Sequence, residues 1–115
     1  METRYSEFEN LTITVGTWST NEPNDELIVS FIGRHLAELC IDNYKYLEYG
    51  EYIYYRVYIL YSGHYLIYKE HQNPGPGVYK IASYAIYKSM YEMRLFATVP
   101  DELINIINNI VVDNA

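Results

Sequence analysis

Apolar and polar residues alternate between positions 10 and 18, with Leu11, Ile13 and Val15 on one side and Thr12, Thr14 and Trp18 on the other. A period of two is what a strand covered on one face requires, and it predicts the first strand here. Thr20-Asn21-Glu22-Pro23-Asn24 then breaks the chain, and Asp25 and Glu26 follow where a first helical turn favours acids. Leu27, Ile28, Phe31, Ile32, Leu36, Leu39 and Cys40 recur at three- and four-residue steps. That spacing predicts a helix of about 16 residues with one apolar stripe, burying Phe31 and Ile32.

Residues 51–61 and 65–71 are rich in Tyr, Ile, Val and Leu, and Ser62-Gly63-His64 lies between them. Glycine can take the positive φ that a tight turn demands, so the two runs predict a β-hairpin. A turn through either Ser62-Gly63 or Gly63-His64 places odd positions of the first run beside even positions of the second. Asn73-Pro74-Gly75-Pro76-Gly77 is a connector that neither a helix nor a central strand accommodates. In 78–88, Ile81, Ala82, Ala85 and Ile86 suit a short helix while Tyr79, Tyr84 and Tyr87 suit a strand; helix or loop is the reading adopted. Tyr91, Met93, Leu95, Ala97 and Val99 alternate with Glu92, Arg94 and Thr98 as a strand would. Pro100-Asp101-Glu102 opens a final helix with Leu103, Ile104, Ile107, Ile110 and Val111 on its buried side. The order β-α-β-β-x-β-α predicts an α+β fold over residues 1–115, a mainly antiparallel sheet with two helices on one face, for which a ferredoxin-like arrangement is one solution.

Length changes this picture little, since 115 residues suit one domain with its own core. Charge changes it more. Residues 1–51 carry ten acids against Arg4, Arg34 and Lys45, whereas residues 52–115 carry five charges of each sign. The net −7 therefore resides in the first half, which disfavours duplex nucleic acid and anionic membranes, whose binding relies on Lys and Arg. The polar, acidic start does not resemble a signal peptide, and no apolar run approaches a membrane span. With Cys40 as the single cysteine, a cytoplasmic setting, host cytoplasm for a viral protein, is the expectation.

The chemistry-bearing residues form no local motif. Cys40 lies five positions from His35, which on a helix places the two on different faces. His64, Glu70 and His71 obey no metal-ligand spacing, and Gly75-Pro76-Gly77 lacks the Lys-Ser/Thr of a phosphate loop. Glu48 and Glu51 flank Gly50 and form at most an unremarkable surface pair. Neither cofactor nor metal is expected, and a non-enzymatic role is preferred.

Fifteen tyrosines are the unusual feature. In the predicted hairpin, Ile53, Tyr55, Val57, Ile59, Leu66 and Tyr68 would face the core, and Tyr52, Tyr54, Arg56, Tyr58, Tyr65 and Lys69 would face outward. Aromatic rings interleaved with cations suit a protein interface, between copies in a homodimer or with a foreign partner. Single-stranded nucleic acid or a nucleotide is the alternative occupant, because bases stack on such rings. The resulting expectation is a small acidic protein-binding module. Its richness in Ile, Tyr and Asn fits a virus- or mobile-element-encoded inhibitor of host machinery, such as a nucleic-acid-binding defence complex.

Overall fold

The computed structural model of the chain describes residues 8–19, 25–42, 47–48, 50–73, 78–96 and 99–113. The breaks anticipated at 20–24 and 74–77, the opening residues 1–7, and Ala97 and Thr98 lie outside them. Five strands, β1 (Glu9–Ser19), β2 (Asp25–Ile41), β3 (Tyr52–Leu60), β4 (Tyr65–Gln72) and β5 (Val78–Tyr87), precede two helices, α1 (Met90–Phe96) and α2 (Asp101–Asp113). Each strand pairs antiparallel with the next, and β5 returns to β1 to close a barrel. The expected α+β sandwich, ferredoxin-like or otherwise, is thus replaced by a closed five-stranded antiparallel barrel.

The first strand, the hairpin and the last helix form where the pattern placed them. The expected first helix does not: Asp25–Ile41 is one strand of 17 residues. Its apolar residues serve two different surfaces. Val29 and Phe31 pack inside the barrel, whereas Ala37, Leu39 and Ile41 pack outside beneath the helices. The change of face occurs at a bulge, where the pairing of His35 with Tyr58 is followed by Ala37 with Val57. Both faces of the strand therefore carry apolar residues, and a period of two is disguised as one near 3.6. Ile28, Val29, Ile32 and Gly33 are also poor helix formers. A Cβ at Gly33 would come within 2.9 Å of the Ile59 carbonyl, so the close approach of β2 to β3 selects glycine.

Two further expectations are corrected. Residues 78–87 form strand β5 instead of a helix or loop. The strand expected over 91–99 is in its first part helix α1, started by Ser89, whose Oγ accepts from the Glu92 amide at 3.1 Å. Ser89 and Glu92 have the spacing of a capping box, which outweighs the alternation of Tyr91, Met93 and Leu95.

The core has two compartments. Ile13, Val15, Trp18, Tyr58, Leu66, Tyr68 and Ala82 fill the barrel, and with Val29 and Phe31 packed against them all five strands contribute. Ala37, Tyr55, Val57 and Ile67 on the outer wall meet Met93, Leu103 and Ile107 of the helices. Both faces of β3 and β4 therefore carry core residues, and the expected separation into one buried and one outward aromatic face does not occur among the described residues.

Leu66 is 1% exposed inside the barrel and Ile32 is 50% exposed outside it. Leu66→Ala should accordingly lower stability by about 2–5 kcal/mol in denaturant titration. Ile32→Ser should stay within about 0.5 kcal/mol of the parent; the reverse order would refute the strand assignment of β2.

Candidate functional site

The hairpin turn decides which tyrosines point where. The Gly63 amide donates to the Leu60 carbonyl at 2.8 Å, the Leu60 amide donates to the His64 carbonyl at 2.8 Å, and Gly63 has φ +91. Tyr61, Ser62 and Gly63 thus make a three-residue turn, with glycine in the left-handed position that such turns favour. An odd-length turn pairs even with even: Tyr54 opposes Glu70, Arg56 opposes Tyr68, and Tyr58 opposes Leu66. The parity derived from a two-residue turn is corrected, and with it the grouping of the six expected site residues. Tyr52, Tyr54, Arg56 and Tyr58 belong to the row facing into the barrel, while Tyr65 and Lys69 belong to the outer row with Tyr55 and Val57.

The inward row continues from an apolar centre into a polar network. Glu70 accepts from the Tyr52 hydroxyl at 2.6 Å and from the Tyr68 hydroxyl at 2.8 Å, and Lys80 Nζ lies 3.9 Å from it. The Tyr54 hydroxyl donates to Glu38 at 2.6 Å. Arg56 is set among rings, 4.5 Å from the centroid of Tyr68, 5.7 Å from Tyr54 and 5.9 Å from Tyr58. Its buried Nε has no hydrogen-bond partner among the described residues, so the ring faces form its surroundings. On the adjoining strands, Trp18 donates from Nε1 to Glu26 at 2.6 Å, and Lys80 Nζ sits 4.0 Å from the Trp18 ring centroid.

At the end where β2 gives way to β3, this network opens into a cleft of about 500 Å³ lined by Cys40, Asp42, Gly50, Glu51, Tyr52, Tyr54 and Glu70. Carboxylates and phenols dominate its polar lining, and among the described residues no Lys, Arg or His contributes. Glu51 is fixed in place: it accepts from the Glu48 amide at 3.0 Å, and its other oxygen lies 2.7 Å from His71 Nε2. The Glu48–Glu51 pair considered from sequence is therefore a turn contact, and His71 serves to anchor Glu51. A second hollow, of about 370 Å³, is lined by Glu9, Leu11, Gly33, Arg34, His35 and Tyr58. No cluster of three or more potential metal ligands occurs among the described residues, and no described helix is long and apolar enough to cross a membrane.

Protonation states follow from these contacts. The hydrogen bond to His71, then the Glu48 amide, holds Glu51 below the usual carboxylate range. Burial works to raise Glu70, but the Tyr52 and Tyr68 hydroxyls, Lys80 and Arg56 together hold it low. Burial, then Asp42 and Glu70, pushes the Cys40 thiol up. Burial followed by a carboxylate acceptor pushes Tyr52 and Tyr54 up to about 12, the acceptors being Glu70 and Glu38, and the same causes raise Tyr68.

Sequence reading found Tyr52 and Tyr54 but assigned them to the wrong surface, and it missed Cys40, Asp42, Glu51 and Glu70 as neighbours. Alternation within the hairpin places Glu70 beside Tyr52 and Tyr54 once the turn length is known. The positions of Cys40 and Asp42 depend on the bulge at Leu36, which the sequence does not announce.

The folded state holds the protons of Tyr52, Tyr54 and Tyr68 more tightly than an unfolded chain, where tyrosine titrates near about 10. Their contribution to stability is fully present below that value and is lost as pH rises toward about 12. Alkaline titration followed by tyrosinate absorbance should show a late group of phenols whose ionisation coincides with unfolding. A single transition of all tyrosines at the ordinary pKa, with the fold intact, would refute the carboxylate-bound phenols.

No protein-family model, curated protein or solved structure matches this chain.

Proposed function

We propose that this chain is a non-catalytic binding module that works through the cleft at the barrel mouth, with a partner protein as its target. The observation carrying this reading is the cleft itself: a concave site in which Glu51, Tyr52, Tyr54 and Glu70 are already fixed by hydrogen bonds. Cys40 is held as the thiol, which is a poor nucleophile. Glu51 and Glu70 are held ionised by fixed hydrogen-bond partners, which leaves their charge available to a bound group. Tyr52 and Tyr54 keep their protons.

The acidic first half of the chain supports a protein target with a basic surface, as an inhibitor that competes with nucleic acid would require. The nucleic-acid alternative loses its main support, because four of the six residues invoked for base stacking face into the barrel.

Cys40 is exposed and lines the cleft, so Cys40→Trp occupies the site without removing a core contact. Proteins retained from source-cell extract by the immobilised parent should be lost with Cys40→Trp and kept with Lys69→Ser on the outer wall, thermal melting confirming that both variants fold. Retention by Cys40→Trp together with loss by Lys69→Ser would move the site to the outer face of the hairpin.

A further inference from the structure

We infer that the group received by the cleft is an alkylammonium, such as a lysine side chain; this rests on the cleft being the binding site. The barrel already shows the chemistry. Lys80 Nζ is held between an aromatic ring and a carboxylate, 4.0 Å from the Trp18 centroid and 3.9 Å from Glu70 Oε1. The cleft offers the same two components: the phenols of Tyr52 and Tyr54, and the carboxylates of Asp42, Glu51 and Glu70. Unlike the barrel interior, its described lining includes no cation.

Other ligand classes fit less well. An anion would meet the carboxylates of Asp42, Glu51 and Glu70 and, among the described lining residues, no Lys, Arg or His. A neutral ligand would displace water from ionised Glu51 and Glu70 without replacing that hydration. A guanidinium prefers two bare oxygens of one carboxylate. Both oxygens of Glu51 and both of Glu70 already have a hydrogen-bond partner, which leaves a single added donor as the better match. The phenols are locked the same way, donating to Glu70 and Glu38, so their rings remain neutral aromatic surface for a cation. The negative potential of the site is felt by Cys40, whose thiol Asp42 and Glu70 help to hold protonated.

The test follows the backbone amide resonances of Gly50, Glu51 and Tyr52 by NMR while the protein is titrated with putrescine or with Nα-acetyl-lysine methylamide. The matched neutral and anionic probes are n-butanol and butyrate. Saturable shifts at these amides with either amine, and none with butanol or butyrate, are expected. Binding of the lysine derivative alone would identify a protein side chain as the source, and binding of putrescine as well would admit free amines. Asp42→Asn at the exposed rim should weaken the amine by roughly fivefold, the reach of one surface charge; Asp42→Lys, which changes the charge by two units, should weaken it further, and should either variant fail to fold the other is read in its place. Saturation by butyrate or butanol, an absence of shifts with both amines, or an affinity indifferent to residue 42 would each overturn the ammonium assignment. None of these outcomes bears on the Cys40→Trp capture result, so a wrong ligand class and a wrong site remain distinguishable.

Discussion

Closure of the sheet between β1 and β5 is the constraint on which the rest of the structure depends. It is made over a short span, Gly16 to Ser19 against Val78 to Ala82. Gly16 stands at its start with φ +145, and a Cβ there would collide with the Asp25 carbonyl. The glycine lets β1 turn its faces, so that Ile13 and Val15 before it and Trp18 after it all enter the same interior cluster. Without that change of parity Trp18 would point outward, away from Lys80 and Glu26, and the inner compartment would lose its largest side chain.

A closed five-stranded barrel has a narrow interior that side chains must fill completely, and here much of the filling is tyrosine. A buried phenol needs a hydrogen-bond acceptor, and a strand row supplies one only where the pattern provides it. Glu70 meets that need for buried Tyr68 and half-buried Tyr52, which explains a carboxylate in an inward-facing position next to an aromatic core, and exposed Glu38 accepts from Tyr54 at the edge. The polar network at the barrel mouth is therefore a structural consequence of packing tyrosines, and the cleft inherits its electrostatics from that solution.

Elements that bury one face with one periodicity were readable from sequence: β1 by its alternation, α2 by its proline, acids and apolar stripe, and the β3–β4 hairpin by its glycine. Those serving two surfaces were not. The strand β2 changes compartments at a bulge, and its apolar residues then fall at spacings that imitate a helix. In α1, seven residues are too few for periodicity to speak, and the capping pair Ser89 and Glu92 carried the better signal. For the site, the hydrophobic pattern identified the tyrosines but not their side, because one residue in turn length inverts every facial assignment downstream. Its acidic members come from distant segments joined only by closure and register.

The way the mouth holds its charge separates it from an ordinary ion-pair network. A carboxylate neutralised by a bidentate arginine presents little field beyond the pair. Glu70 instead receives two phenol protons, with Lys80 standing off at 3.9 Å, and Glu38 receives one from Tyr54. Neutral donors stabilise an anion without cancelling it. Glu70 can thus remain ionised in a partly buried position while the cleft keeps a negative potential, strengthened by Asp42 and Glu51 at its rim. The same hydrogen bonds immobilise the rings before any ligand arrives, so less conformational freedom remains to be lost on binding. A site of this construction favours a cation over an anion by its charge and over a neutral molecule by desolvation. That selectivity follows from the physics of burying tyrosine, not from any residue added for binding.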